Sequence, residues 1–173
     1  MISIIIPVLN EATTIRNLLD HLTQNLSGEN STEIIFVDGG SSDGTKEIIK
    51  NFTKNISRPV GFLKLDRSFF IQVISSEKGR ARQMNTGARH ASGEILYFLH
   101  ADSFPPKNFD EYILSEIKKE NPAGCFRMKF DSNHWWLQLA GWLTQFRWRA
   151  CRGGDQSQFI TKSLFDERTL RKE

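Results

Sequence analysis

Two apolar runs that each end on a carboxylate constrain this chain most. Glu33-Ile-Ile-Phe-Val-Asp38 leads into the turn-rich Gly39-Gly-Ser-Ser-Asp43-Gly-Thr45. Glu94-Ile-Leu-Tyr-Phe-Leu-His-Ala-Asp102 places a histidine two residues before its acid. Short apolar runs of this kind, bounded by turn residues, read as buried strands. A third such run, Ser3 to Val8, carries Pro7 near its end, where a strand tolerates proline. Helical spacing follows each of the first two strands: Ile15, Leu18, Leu19 and Leu22 after one, and Ile48, Ile49 and Phe52 after the next. Asn10 is expected to cap the first of these helices, with Glu11 in its positively polarised first turn. Strand–helix–strand–helix order implies parallel pairing through right-handed crossovers. In such a sheet, ligands lie beyond the carboxyl ends of the strands. Two acidic strand tips in one sheet therefore point to a metal-assisted nucleotide site.

Downstream, the pattern predicts a strand over Phe69 to Ile74 and an extra strand or hairpin arm over Val60 to Leu65. It also predicts a helix from Arg80 to Ala91, a strand from Ile95 to Leu99 and a helix from about Phe109 to Glu120. A strand over Cys125 to Phe130 ends this series. His134 to Arg149 reads as a helix with a wide aromatic face, carrying Trp135, Trp136, Trp142, Phe146 and Trp148. Core packing with a homo-oligomer contact is one reading of that face. A peripheral membrane or lipid-acceptor face, ending in Arg147, Arg149 and Arg152, is the other.

The 173 residues suffice for one domain with a real core and are short for two. A net charge of +3 gives no ground for a nucleic-acid partner. The arginines do cluster, at Arg80, Arg82 and Arg89 and again at Arg147, Arg149 and Arg152. Such clusters suit phosphate or an anionic membrane surface, or are solvated helix faces. Cys125 and Cys151 lack metal-ligand spacing, and a reducing, cytoplasmic setting is expected, with the inner membrane face as the peripheral alternative. No segment reads as a signal peptide or a spanning helix.

Five motifs in order make the chain resemble the family 2 glycosyltransferases. They are Ser3-Ile-Ile-Ile-Pro7-Val-Leu-Asn10-Glu11, Ile35-Phe-Val-Asp38-Gly-Gly-Ser-Ser-Asp43-Gly-Thr45, Gly79-Arg80-Ala-Arg82-Gln-Met-Asn85-Thr-Gly87, Leu99-His100-Ala-Asp102, and Gly153-Gly-Asp155-Gln156 with Phe159-Ile160. The His-Ala-Asp variant and the Gly-Asp-Gln run resemble one bacterial subgroup. The resemblance implies a single α/β domain over residues 1–173 with the GT-A fold: a Rossmann-like, mostly parallel sheet with helices on both faces. It implies an inverting, metal-dependent transferase that takes a sugar from a nucleoside diphosphate donor. The expected donor is a UDP-sugar, with guanosine as the alternative base, and the acceptor, lipid-linked in one reading, is not specified.

By the same resemblance, Asp102 is the ligand for Mg²⁺ or Mn²⁺. A hard cation held by one or two carboxylates, phosphate oxygens and water would neutralise the departing diphosphate. His100 stands where the family usually has an acid, and ribose, phosphate and metal are all open as its partner. Asp38 is expected to bind nucleobase or ribose as a hydrogen-bond acceptor. Asp43 either does the same or caps the second helix. Pro7, Asn10 and Glu11 would line the nucleotide pocket, and Arg80 and Arg82 would reach the diphosphate or base, Arg82 being the preferred contact.

One departure concerns the base that must take the acceptor proton. The family's usual Glu-Asp pair downstream of a Gly-Gly-Phe segment is missing before Glu173, so a chain truncated at its C-terminus is expected. Asp155 is the base candidate within the chain. A nucleotidyltransferase and a catalytically weak nucleotide-sugar-binding domain are the rival readings. The first predicts a glycine-rich, cationic loop after the first strand, where this chain has Val8-Leu-Asn10-Glu11-Ala-Thr.

Overall fold

The computed structural model describes residues 1–56, 69–126 and 157–170. Six strands form one sheet. They are β1 (Ile2–Val8), β2 (Thr32–Asp38), β3 (Phe69–Ser75), β4 (Ile95–Phe98), β5 (Ala123–Cys125) and β6 (Gln158–Thr161). The helices are α1 (Ile15–Asn25), α2 (Thr45–Ile56), α3 (Arg80–His90), α4 (Phe109–Lys118) and α5 (Lys162–Leu170). The strand order is β3-β2-β1-β4-β6-β5. Neighbours β3, β2, β1 and β4 pair in parallel, and β6 runs antiparallel to both β4 and β5. The expected mostly parallel α/β sheet is present.

Strand alternation sorts the core into two layers. On one face Ile4, Ile6, Ile34, Phe36 and Tyr97 pack with Leu18, Leu19 and Leu22 of α1, Phe52 of α2 and Phe109 and Ile113 of α4. On the other, Ile5, Ile35, Val37 and Leu96 pack with Ala88 of α3 and Phe165 of α5. A strand covered on both faces has no polar side to show, and β1 and β2 read as continuous apolar runs for that reason. The second layer is thin because α3 lies very close to the sheet. A side chain at Gly87 would put its Cβ 2.4 Å from Ile5 Cγ2 and 3.0 Å from Val37 Cγ2.

This topology makes the site. From β1 the chain winds outward through β2 to β3, then crosses back to place β4 on the other side of β1. The loops leaving β1 and β4 therefore diverge, and a crevice opens between their carboxyl ends. At the opposite, amino ends of the strands, buried Glu33 ties the sheet together. Its carboxylate accepts from Ser3 Oγ at 2.5 Å, Ser92 N at 2.6 Å, Ser92 Oγ at 2.9 Å and Gly93 N at 3.1 Å. Burial pushes this carboxyl up, but those hydrogen bonds outweigh it and hold it below its ordinary range.

Several expectations need correction. Asn10 does not cap α1. The helix begins at Ile15, preceded by a turn in which the Glu11 carbonyl accepts from the Thr14 and Ile15 amides. Strand β5 starts earlier than expected, at Ala123. Neither β6 nor α5 is apparent from periodicity. β6 has only four residues, and α5 (KSLFDERTL) lacks a clean apolar stripe. The expected strand over Val60 to Leu65, the aromatic helix from His134 to Arg149 with its membrane and oligomer readings, and Asp155 lie outside the described residues. Among the described residues, no helix is long and apolar enough to cross a membrane.

Candidate nucleotide site

A cleft of about 290 Å³ lies at the divergence of β1 and β4. Three segments line it: Pro7, Val8, Leu9 and Glu11 after β1, Lys78 to Arg80 with Gln83 at the start of α3, and His100 to Asp102 after β4. Five expected residues, Pro7, Glu11, Arg80, His100 and Asp102, are thus brought together from three separate parts of the sequence. Asp102 is exposed at the cleft, while His100 is buried, at 6% exposure, with no ring hydrogen bond to any described residue. Gly79, at φ +137°, lets the chain turn from β3 into α3 and sets Arg80 at the helix start. The first-turn amides of α3 and the cations Lys78 and Arg80 make this end of the cleft attractive to anions. Glu11 is steadied by Thr14, whose Oγ1 donates to its Oε2 at 2.7 Å.

The remaining expected residues build the walls. Asp38 does not face the cleft. Its side chain is fully buried, and its oxygens accept from Gly40 N at 2.9 Å and Ser41 N at 3.1 Å. Lys46 Nζ approaches at 3.3 Å. Burial raises the Asp38 carboxyl, yet Ser41, Gly40 and Lys46 together hold it below the usual carboxylate range. Asp43 combines the helix-start role with a bridge between loops. It accepts from Thr45 N at 3.0 Å and Thr45 Oγ1 at 2.6 Å at the start of α2, and from Ala12 N at 2.9 Å. Thr45 and Ala12 hold its carboxyl low. Asn10, at φ +56°, accepts from Ser42 N at 2.9 Å, and its own amide donates to Ser41 Oγ at 2.9 Å. The β1–α1 and β2–α2 loops are therefore laced into one wall. Arg80 lines the cleft, whereas Arg82, the preferred contact, is not among its lining residues and pairs with Glu77 at 2.6 Å.

Sequence reasoning did not single out Gln83. This residue is 3% exposed and lines the cleft. Its Nε2 donates to Val8 O at 2.9 Å and Val37 O at 2.7 Å, bridging the ends of β1 and β2. Its place inside the Gly79–Gly87 motif was the only available signal.

The donor set suits a hard divalent cation. Among the described residues no three His, Cys, Asp or Glu side chains converge to cage a metal. Asp102, His100 and Glu11 line one open cleft, so oxygen and imidazole donors are available there without a closed cage. Mg²⁺ and Mn²⁺ use such sites when phosphate oxygens and water complete the shell.

Comparison with known proteins gives this geometry its family. The model of glycosyl transferase family 2 matches residues 3–167. Glycosyltransferase AglE of Haloferax volcanii is 34% identical over 116 residues, which cover 67% of this chain and 35% of that protein. Among solved structures, the mannosyltransferase PcManGT from Pyrobaculum calidifontis, in complex with GDP-Man and Mn²⁺, superposes with a TM-score of 0.66 at 20% identity. That match covers 96% of this chain and 46% of the other. TarS 1–349 of S. aureus in complex with UDP gives a TM-score of 0.72 at 18% identity, covering 97% of this chain and 48% of that one. The fold is therefore GT-A. The chain belongs to glycosyl transferase family 2, which sets aside the nucleotidyltransferase reading. It spans between 27% and 35% of the length of the first three curated relatives it matches.

Proposed function

We propose that this chain forms the donor-binding part of an inverting, metal-dependent glycosyltransferase, and that it takes a nucleoside diphosphate sugar in the β1–β4 cleft. The observation that carries this reading is the meeting of Asp102, His100, Glu11, Lys78 and Arg80 at the crevice that the strand order opens. A UDP-sugar is the favoured donor. The UDP complex of TarS and the GDP-Man and Mn²⁺ complex of PcManGT, both on the same fold, support a nucleotide sugar and a divalent ion.

Transfer breaks the bond between the anomeric carbon and the diphosphate oxygen, and the acceptor hydroxyl forms the new bond from the opposite face. Negative charge grows on the departing diphosphate. Asp102 would hold the divalent cation, with His100 and Glu11 beside it, and the bound ion supplies charge neutralisation at the phosphates. Lys78, Arg80 and the first-turn amides of α3 bind and orient the same phosphates. Asp38, Asp43 and Asn10 keep the nucleotide-side loops in place. The acceptor's proton needs a general base, and Asp155 is the candidate in this chain.

Titration calorimetry with UDP and GDP, in Mn²⁺ and in chelator, tests the assignment. Mn²⁺ should tighten binding by about tenfold or more, equivalent to roughly 1.4 kcal/mol. Asp102→Asn should abolish that gain while leaving the thermal unfolding curve unchanged, since its carboxylate is exposed. Equal affinities with and without metal, or a full metal effect in the variant, would remove Asp102 from the site.

A further inference from the structure

Gln83 carries one polar atom that has no partner among the described residues. Two backbone carbonyls, Val8 O and Val37 O, lie 2.9 and 2.7 Å from its amide nitrogen. Only an NH₂ group satisfies two acceptors, so this contact fixes which end of the carboxamide is nitrogen. Both N–H donors are thereby engaged, and turning the amide over would set its oxygen against two strand-end carbonyl oxygens. Oε1 accepts no hydrogen bond from any described residue. The nearby Gly39 amide is directed to Val8 O, and those of Gly40 and Ser41 go to Asp38. A 3%-exposed acceptor with no donor is costly, unless a ligand or water completes it.

The surroundings say what completes it. Gln83 lines the nucleotide cleft, whose wall also includes Pro7, Val8 and Leu9. The chain also keeps space beside the amide. A Cβ at Gly39 would come within 3.0 Å of Gln83 Cδ and 3.1 Å of both Nε2 and Oε1. Gly39 has no left-handed φ to require glycine, so the amide itself is the reason for one there. A fixed, neutral acceptor in the wall of a nucleotide cleft suits a flat, uncharged ring that presents an N–H.

We propose that Gln83 is a specificity-determining residue, whose Oε1 accepts the ring N–H of the nucleobase. Uracil N3 and guanine N1 carry that hydrogen. Cytosine N3 and adenine N1 are acceptors and would set lone pair against lone pair. Asp38, fully buried and bound to its own loop, then supports the base wall without reading the base. This inference rests on the nucleotide-binding reading above and goes further by naming the class of base.

The experiment is calorimetry in Mn²⁺ with UDP, CDP, N3-methyluridine diphosphate, GDP and ADP. The native chain should prefer UDP to CDP and to the methylated analogue by about 10- to 100-fold, and GDP to ADP similarly, the range for one buried group left unpaired. Gln83→Met, close in volume, should bring the UDP-to-CDP ratio near one. A purely structural role would weaken all five ligands together and leave the ratio alone. The methylated analogue removes the N–H from the ligand and gives the answer even if the variant fails to fold. Equal binding of UDP, CDP and the analogue by the native chain would overturn the role of Gln83 and leave the nucleotide site standing. A preserved ratio in folded Gln83→Met would do the same. If none of the five bound, both readings would fall.

Discussion

At the scale of single residues, a carboxylate at a strand tip can serve a ligand or its own loop, and the burial of its oxygens decides which. Asp38 and Asp102 look alike in sequence, each closing an apolar run. Asp102 is exposed at the cleft, whereas both oxygens of Asp38 are covered by the Gly40 and Ser41 amides and by Lys46. Asp38→Ala would strand those two amides in a buried turn. A loss of about 2–4 kcal/mol is expected, above the usual range for one unpaired group because a charged acceptor is removed. Urea denaturation measures it, and an unchanged midpoint would contradict the loop-building role. Nucleotide affinity should fall as well, through the displaced loop. Asp102 and His100 were legible because an apolar run closing on a carboxylate leaves a pattern in sequence, and Pro7 and Glu11 were legible through the family motif. Gln83 was not, because a neutral amide carries no such mark and its partners lie 75 and 46 residues away.

At the scale of elements, α3 is the part that couples the sheet to the cleft. It brings Arg80 and Gln83 to the strand ends while Gly87 and Ala88 rest on β1 and β2. Gly87→Ala sets helix propensity against packing. Alanine favours a helix interior by about 1 kcal/mol over glycine. The new methyl meets Ile5 Cγ2 at 2.4 Å in a layer that has no slack, and overpacking costs about 1–3 kcal/mol, occasionally more. A net loss of stability is expected, together with weaker nucleotide binding as Gln83 is levered off Val8 and Val37. Thermal unfolding and calorimetry on the one variant check both halves. A stabilised protein with native affinity would show that α3 can shift without consequence. Among the legible helices, α1 and α2 have apolar residues at three- and four-residue spacing. The elements that were not, β6 and α5, owe their form to contacts. β6 exists because β4 and β5 flank it, with Tyr97 opposite Phe159 and Gly124 opposite the same ring. Gly124 leaves room there, since a Cβ would lie 2.5 Å from Phe159 Cζ.

At the scale of the whole molecule, two buried carboxylates pin the two ends of the sheet: Glu33 at the amino ends and Asp38 at the carboxyl ends. Both are held below their ordinary values of 4.5 and 3.8. A carboxyl depressed by folding stabilises the protein fully above its unfolded pKa, and that contribution disappears as pH falls through the folded value. Stability should therefore be level with respect to these two groups above about pH 5 and fall progressively below about pH 4.5. Glu33→Gln should flatten part of that acid slope while lowering stability at neutral pH, because a neutral amide cannot accept from Ser3, Ser92 and Gly93 as the carboxylate does. Urea midpoints from pH 3 to 7 on both proteins provide the check, and identical acid slopes would rule out Glu33 as a contributor. The sequence by itself determined the α/β class, the parallel order of the first strands and the acidic strand tips. Those follow from local periodicity and from residue types that mark strand ends. Only the tertiary structure decided which carboxylate is open and which is sealed, that Arg80 and not Arg82 reaches the cleft, and that Gln83 holds an acceptor ready. Those outcomes depend on atoms far apart in the chain meeting within hydrogen-bond distance, which periodicity does not encode.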